Sequence, residues 1–219
     1  ICSDDYHGFY YLRKFDYTLN HFDVRSGRIT CSTDTRNTPV GLAFNQSDHT
    51  IAVSTDPVIR LYDQRRPSIP RLEYNNHISP SKALAFSGKS IVSGGGNTDK
   101  SLQVWSTITG KLIAAAQSNN QICGIHWLEP KGFFVTEGYS SNQVSCWNLN
   151  ETRIYEEAKK SAHTARVLFS AQNPGNEEEI VTGSPDETLR FWSVRNTKKS
   201  KLRIIPEPTD TLFNSATIR

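Results

Sequence analysis

Six histidines, four cysteines and a run of glycines are the residues of this 219-residue chain whose types could do chemistry. The histidines are His7, His21, His49, His77, His126 and His163, and none forms the His-x-His or His-Glu-x-x-His pair that puts two imidazoles on one metal. The cysteines are Cys2, Cys31, Cys123 and Cys146, with no Cys-x-x-Cys among them, so neither a zinc knuckle nor a redox pair is expected. They read instead as free thiols of a reducing compartment. Gly94-Gly95-Gly96 and Gly88-Lys89-Ser90 invite a phosphate cradle. That cradle needs a glycine five residues before the Gly-Lys pair and a helix after it. Ala83 stands at the first position, and Ile91-Val92 continue as a strand. The glycines are therefore expected to serve close backbone packing at a turn. His163 and Asp186 could be two parts of a nucleophilic triad, but no serine sits in a Gly-x-Ser-x-Gly elbow. No enzyme and no cofactor are expected.

The elements that would position these residues repeat. A strand ends in an aromatic residue at Phe22, Tyr62, Trp105, Trp147 and Trp192, at spacings of 40, 43, 42 and 45 residues. Asp16, Asp56, Asp99 and Asp186 each lie six residues before the aromatic, and Asn142 lies five before Trp147. A short polar side chain there suits a tight turn between strands, because it can bond nearby backbone. Upstream of each turn comes a β-rich run such as Ile180-Val181-Thr182, and further upstream another such as Val40-Gly41-Leu42-Ala43-Phe44. Three runs plus a variable outer strand make a four-stranded unit, and a period of 40–45 residues is that of a propeller blade. A β-sandwich also has many short strands but no such period. Only Thr152–Lys160 carries a helical stripe.

Composition agrees with a globular domain. Lys+Arg number 25 and Asp+Glu 22, a net charge of +3, too small and too evenly spread for a nucleic-acid groove. No stretch approaches the roughly 18 apolar residues of a membrane helix. The chain starts at Ile1 and holds no methionine, the expectation for a piece of a longer product. A seven-bladed ring at this period would need about 294 residues. The expectation is thus an all-β WD-repeat propeller: about five blades over residues 1–197, the first truncated, and a flexible tail over 198–219. In WD-type blades a His, a turn Asp and the strand Trp tie one blade together, which is the reading preferred for His163, Asp186 and Trp192.

Ser93-Gly94-Gly95-Gly96-Asn97-Thr98-Asp99-Lys100 followed by Leu102-Gln103-Val104-Trp105, and Gly138-Tyr139-Ser140-Ser141-Asn142-Gln143-Val144 leading to Trp147, are two stretches of one pattern. Ala162-His163-Thr164-Ala165-Arg166-Val167-Leu168, Ser184-Pro185-Asp186-Glu187-Thr188-Leu189-Arg190-Phe191-Trp192 and the final Ile218-Arg219 complete it. Together they resemble the fizzy family, the WD-repeat co-activators of the anaphase-promoting ubiquitin ligase. The resemblance is strong from Ser93 to Trp192 and at the terminus, and weak from Ile1 to Pro80. That weakness suggests a divergent branch, a germline or meiotic co-activator such as the insect cortex type.

The resemblance implies a degron-binding adaptor in cell-cycle progression, acting in cytoplasm and nucleus, with cyclin-like substrates and no nucleic-acid or membrane partner. It implies that Ile218 and Arg219 dock on a TPR subunit of the ligase. Asn97, Gln121 and Arg166 match the family's pocket for the KEN degron, with Arg166 suited to an acidic side chain. Two asparagines of that pocket correspond here to Thr55 and Pro57. Glu187 matches the acidic residue that faces the arginine of the destruction box, and its partner acid and the ligase-binding C-box belong to segments N-terminal to those seen here. The alternative is a structural WD-repeat scaffold for unrelated partners.

Overall fold

The structure is a computed structural model that describes residues 1–3, 8–128, 132–138, 141–195 and 201–204. Its described residues form five four-stranded antiparallel sheets, one per repeat. Blade 1 is β1 (Cys2–Ser3), β2 (Gly8–Arg13), β3 (Thr18–Asp23) and β4 (Arg28–Asp34). Blade 2 is β5 (Pro39–Asn45), β6 (Thr50–Thr55), β7 (Ile59–Asp63) and β8 (Arg66–Tyr74). Blade 3 is β9 (Ala83–Ser87), β10 (Ser90–Gly94), β11 (Ser101–Ser106) and β12 (Leu112–Gln117). Blade 4 is β13 (Ile122–Leu128), β14 (Gly132–Glu137), β15 (Gln143–Asn150) and β16 (Arg153–Ser161). Blade 5 is β17 (Phe169–Asn173), β18 (Asn176–Gly183), β19 (Leu189–Arg195) and β20 (Lys201–Ile204).

The recurring aromatic lies in the third strand of every blade, one residue from its end in blades 1–3 and three in blades 4 and 5, and faces an apolar residue of the second: Phe9 opposite Phe22, Ile51 opposite Tyr62, Ile91 opposite Trp105, Phe133 opposite Trp147 and Ile180 opposite Trp192. Two expectations change. The helical stripe at Thr152–Lys160 is the outer strand β16, paired along its length with β15, so the ladder overrides a local 3.6-residue period. The fourth strand of blade 5 comes from Lys201–Ile204, inside the stretch assigned to the tail, because β19 offers its edge to the returning chain. The outer strand β8 carries Pro67 and Pro70, residues that only an edge strand tolerates.

The core lies between blades rather than within them. Tyr10 and Leu19 of blade 1 pack on Ile51, Val53 and Tyr62 of blade 2. Ile59, Leu61 and Tyr74 of blade 2 pack on Leu84, Ile91 and Trp105 of blade 3. Val92, Leu102 and Val104 then meet Ile125, Phe133 and Trp147, and Phe134, Val144 and Cys146 meet Val167, Ile180 and Trp192. The next face in this series, on blade 5, carries Phe169, Leu189 and Phe191 at 74%, 52% and 41% exposure. The glycine run serves this packing, as expected: a Cβ on Gly94 would lie 2.3 Å from Ile122 Cγ2, and one on Gly96 would lie 2.9 Å from the Pro80 carbonyl oxygen.

Within a blade, polar networks fix the aromatic. In blade 3 His77 Nδ1 donates to Asp99, which leaves Nε2 to accept the Ser93 hydroxyl at 2.7 Å, and Ser93 Oγ accepts the Trp105 indole N–H at 3.2 Å. Blade 5 repeats this with His163, Asp186, Thr182 and Trp192, the last two bonded at 2.9 Å. Burial lowers the pKa of both histidines, and their aspartates only partly offset it, so both rings stay neutral near pH 7. Burial works to raise the Asp186 carboxyl, but hydrogen bonds from Thr188, Thr164 and His163 outweigh it and hold it below the usual carboxylate range.

Asp99 also accepts the Ile78 and Ser101 backbone N–H groups. Asp99→Ala strands all these buried donors and should cost on the order of 3 kcal/mol, read as a lower urea midpoint. A second expectation concerns acid. His126 bonds Ser170 across the blade 4–blade 5 junction at 2.8 Å, and burial pulls its pKa down to about 4. The unfolded chain takes up this proton near pH 6.5 and the folded chain does not. Stability should therefore be unaffected above pH 6.5 and fall as pH drops from 6.5 toward 4. Denaturation series at stepped pH should show the fall, and His126→Gln should make it shallower, with the remainder carried by His77 and His163, whose pKa values burial also lowers.

Candidate functional site

The β10–β11, β14–β15 and β18–β19 turns and the loops that lead into each blade share one face, here called the upper face. Those turns have a common geometry. The residue five before the aromatic has a left-handed backbone in four blades: Tyr17 at φ 54°, Lys100 at 55°, Asn142 at 47° and Glu187 at 63°. In blade 2 that position is Pro57, joined to Asp56 by a cis peptide bond.

Asn97 sits exposed at the tip of the β10–β11 turn. Gln121 is half-buried just before β13, and its carbonyl accepts the Gly138 N–H at 2.9 Å. The Ile122 N–H reaches the Gly95 carbonyl at 3.2 Å, so backbone bonds join the Asn97 turn, the Gln121 segment and the β14 end. Arg166 is exposed on the loop entering blade 5. Burial raises the Cys123 thiol pKa; the charges of Lys82 and Arg166 pull against that rise and the charge of Glu137 adds to it. The upper face where the chain enters blades 3, 4 and 5, called the mouth below, thus carries exposed Lys82 and Arg166 and half-buried Gln121, with Cys123 at the start of β13 kept protonated by burial. Glu187 stands apart, exposed on the β18–β19 turn beside the open face of blade 5, with its N–H bonded to the Ser184 carbonyl at 3.2 Å. Ile218 and Arg219 lie outside the described residues.

Blade 2 builds its upper end differently. Thr55 is fully buried, and Arg60, 6% exposed, donates to it at 2.9 Å and to the Thr35 carbonyl at 3.1 Å. Arg60 Nε also meets Glu73 at 3.0 Å. A guanidinium thus takes the place of the histidine–tryptophan relay, and Thr55 faces inward rather than into the mouth. Blade 4 uses a buried carboxylate. Trp147 donates to Ser145, Ser145 to Glu137, and Asn120 to the other oxygen of Glu137, at 2.8, 2.9 and 2.9 Å. Sequence reasoning missed both networks, as well as His77, Ser93 and Thr182. The signal for His77 is its separation from Asp99, 22 residues, against 23 between His163 and Asp186. Asp56 does not take the role of Asp99, since it is exposed and only its carbonyl is engaged, by Asn37 at 3.4 Å.

Radially ordered four-stranded sheets with His–Asp–Ser/Thr–Trp relays define a WD-repeat β-propeller protein. The comparisons agree. A chain of the mitotic checkpoint complex crystal structure superposes with a TM-score of 0.81 at 25% identity, covering 87% of this chain and 60% of that one. The structure of U3-55K superposes at 0.76 with 16% identity, covering 88% of this chain and 59% of that one, a likeness of fold alone. No family model matches the sequence. The WD repeat-containing protein srw1 of Schizosaccharomyces pombe is 32% identical over 190 residues, 84% of this chain and 34% of the relative. The FIZZY-RELATED 2 protein of Arabidopsis thaliana is 35% identical over 154 residues, 68% of this chain and 31% of the relative. The meiotic fizzy-related protein 1 of S. pombe is 36% identical over 137 residues, 61% and 32% of the two chains. The chain belongs to the fizzy family of WD-repeat proteins, and it spans about a third of the length of these relatives.

Removal of the blade 2 guanidinium tests whether it anchors this end of the face. Arg60→Met should cost about 2 kcal/mol, since Thr55 and the Thr35 carbonyl lose their donor. A double-mutant cycle with Glu73→Met should show a smaller loss than the sum of the single changes.

Proposed function

We propose that this chain is the substrate-recognition part of a co-activator of the anaphase-promoting ubiquitin ligase, binding degrons on its upper face during mitotic or meiotic progression in cytoplasm and nucleus. The observation that carries this reading is family membership, and it is supported by Lys82, Gln121 and Arg166 lying on the segments that enter three successive blades on one face. A propeller held by inter-blade cores is a rigid platform, so loop residues on it are preorganised for a short peptide. Arg166 pairs with the acidic residue of a KEN degron, and Gln121 and Asn97 hydrogen-bond its amide and backbone. Glu187 faces the arginine of a destruction box on the rim of blade 5. Ile218 and Arg219 dock the co-activator on the ligase, Ile218 in an apolar pocket and Arg219 through its guanidinium and free carboxylate.

Blade 2 narrows this reading. Thr55 spends its hydroxyl on Arg60 and Val58, and Pro57 has no donor to offer. The KEN peptide therefore binds through the blade 3–5 side of the mouth alone, and more weakly than in a pocket with both asparagines.

Titration with fluorescent KEN and destruction-box peptides checks the assignment. Arg166→Ala should weaken the KEN peptide by about tenfold, the loss of one charge-assisted pair, and leave the destruction-box peptide unchanged. Glu187→Ala should do the reverse. Capture of ligase subunits by the chain should drop when Ile218-Arg219 is deleted. Failure of both peptides to bind would favour a scaffold with unrelated partners.

A further inference from the structure

On the face opposite the degron loops, a cavity of about 380 Å³ opens between blades 4 and 5. Its floor is apolar and buried, made by Leu128, Cys146, Trp147 and Val194. Its rim carries three carboxylates, Glu157 from blade 4 and Glu177 and Glu178 from the β17–β18 hairpin of blade 5. Among the described residues that line it there is no cation.

The position of Glu157 is set by a repeated irregularity. In blades 1–4 the third and outer strands slip register beside the aromatic, so one outer-strand residue has no partner opposite. A bulge of this kind re-aims a side chain. The residues so placed are Thr30, Arg71, Ile113 and Glu157. Arg71 shows what this site can hold. Its guanidinium crosses from blade 2 to blade 3, reaching the Thr50 hydroxyl at 3.4 Å and the Thr107 carbonyl at 3.1 Å. By register, Thr50 corresponds to Gly132 of blade 4, since each pairs with the residue after its blade's aromatic. Thr107 corresponds to Val194 of blade 5, two residues past the tryptophan in each case. Gly132 and Val194 both line the cavity. The space that Arg71 fills at one junction is thus open at another, where the bulge residue is an acid that accepts a hydrogen bond from Asn148 at 3.0 Å.

We propose that this cavity is a binding site for an arginine side chain of a partner protein segment. The guanidinium would enter as Arg71 does at its own junction, with carboxylates on both blades as acceptors and the apolar floor taking the side-chain methylenes. Arginine suits the site better than lysine because its planar fork reaches acceptors on two walls at once. The site is separate from the upper-face residues and goes beyond their proposed role.

Isothermal titration of the chain with the peptide acetyl-Ala-Leu-Arg-Leu-Ala-amide tests this. Saturable binding is expected, falling by about tenfold or more when citrulline replaces arginine, which keeps the shape and removes the charge. Glu157→Gln together with Glu177→Gln should produce the same loss with an unchanged melting curve, while Arg166→Ala and Glu187→Ala leave it untouched. Glu157→Arg should fill the cavity from within and abolish peptide binding in a folded chain. Binding that survives the glutamine pair or the citrulline exchange, or no saturable heat at millimolar peptide, overturns the proposal.

Discussion

Each sheet in this protein is covered by its neighbour and by little else. Val92, Leu102 and Val104 are buried because blade 4 lies on them, and Phe134, Val144 and Cys146 because blade 5 does. The hydrophobic effect acts across the blade junctions, so the radial order of sheets is what the sequence must preserve. In blades 2 to 5 the third-strand aromatic packs on residues of the preceding blade.

Fixing the ring has more than one solution. Blades 3 and 5 use a neutral histidine between a carboxylate and a hydroxyl, and blade 4 a buried glutamate held by Ser145, Asn120 and Lys159; in blade 2 Tyr62 is held by packing on Tyr10, Leu19, Ile51 and Val53, while a buried arginine ties Thr55 to the Thr35 carbonyl. In each case every buried polar group named has a partner, which is the condition for keeping it out of water. The choice also has a functional side. Where the relay is a histidine, the turn next to it is free to carry Asn97 or Glu187 outward. Where it is Arg60, Thr55 is drawn inward and the upper face loses a polar group.

The period of the aromatics and the turn aspartates was enough to read five β units, because strand length, turn chemistry and repeat distance all agreed. The outer strands were less legible. Lys201–Ile204 carries no pattern of its own and becomes a strand only because the β19 edge is there to pair with. Arg60 and Glu137 were invisible as relay residues, since a charged residue in a strand normally marks a solvent face and nothing local says that its partners, Thr35 and Asn120, come from the loops entering the blade. The candidate residues on the upper face were readable by type, but their surroundings were not: Lys82, Gln121 and Arg166 share a face only because the segments entering three different blades end there.

The outer-strand residue that the ladder skips beside the aromatic in blades 1–4 has a consequence for how such a protein can diversify. At Thr30, Arg71, Ile113 and Glu157 the chain carries a hydroxyl, a cation, an aliphatic group and an acid at equivalent places, while the cores next to them keep the same plan. Because the ladder skips these residues, exchanging one leaves the strand pairing intact and changes only the bonds or contacts of that side chain. The lower surface thus offers one independently rewritable slot per sector, and selection can alter its chemistry without paying for a new fold.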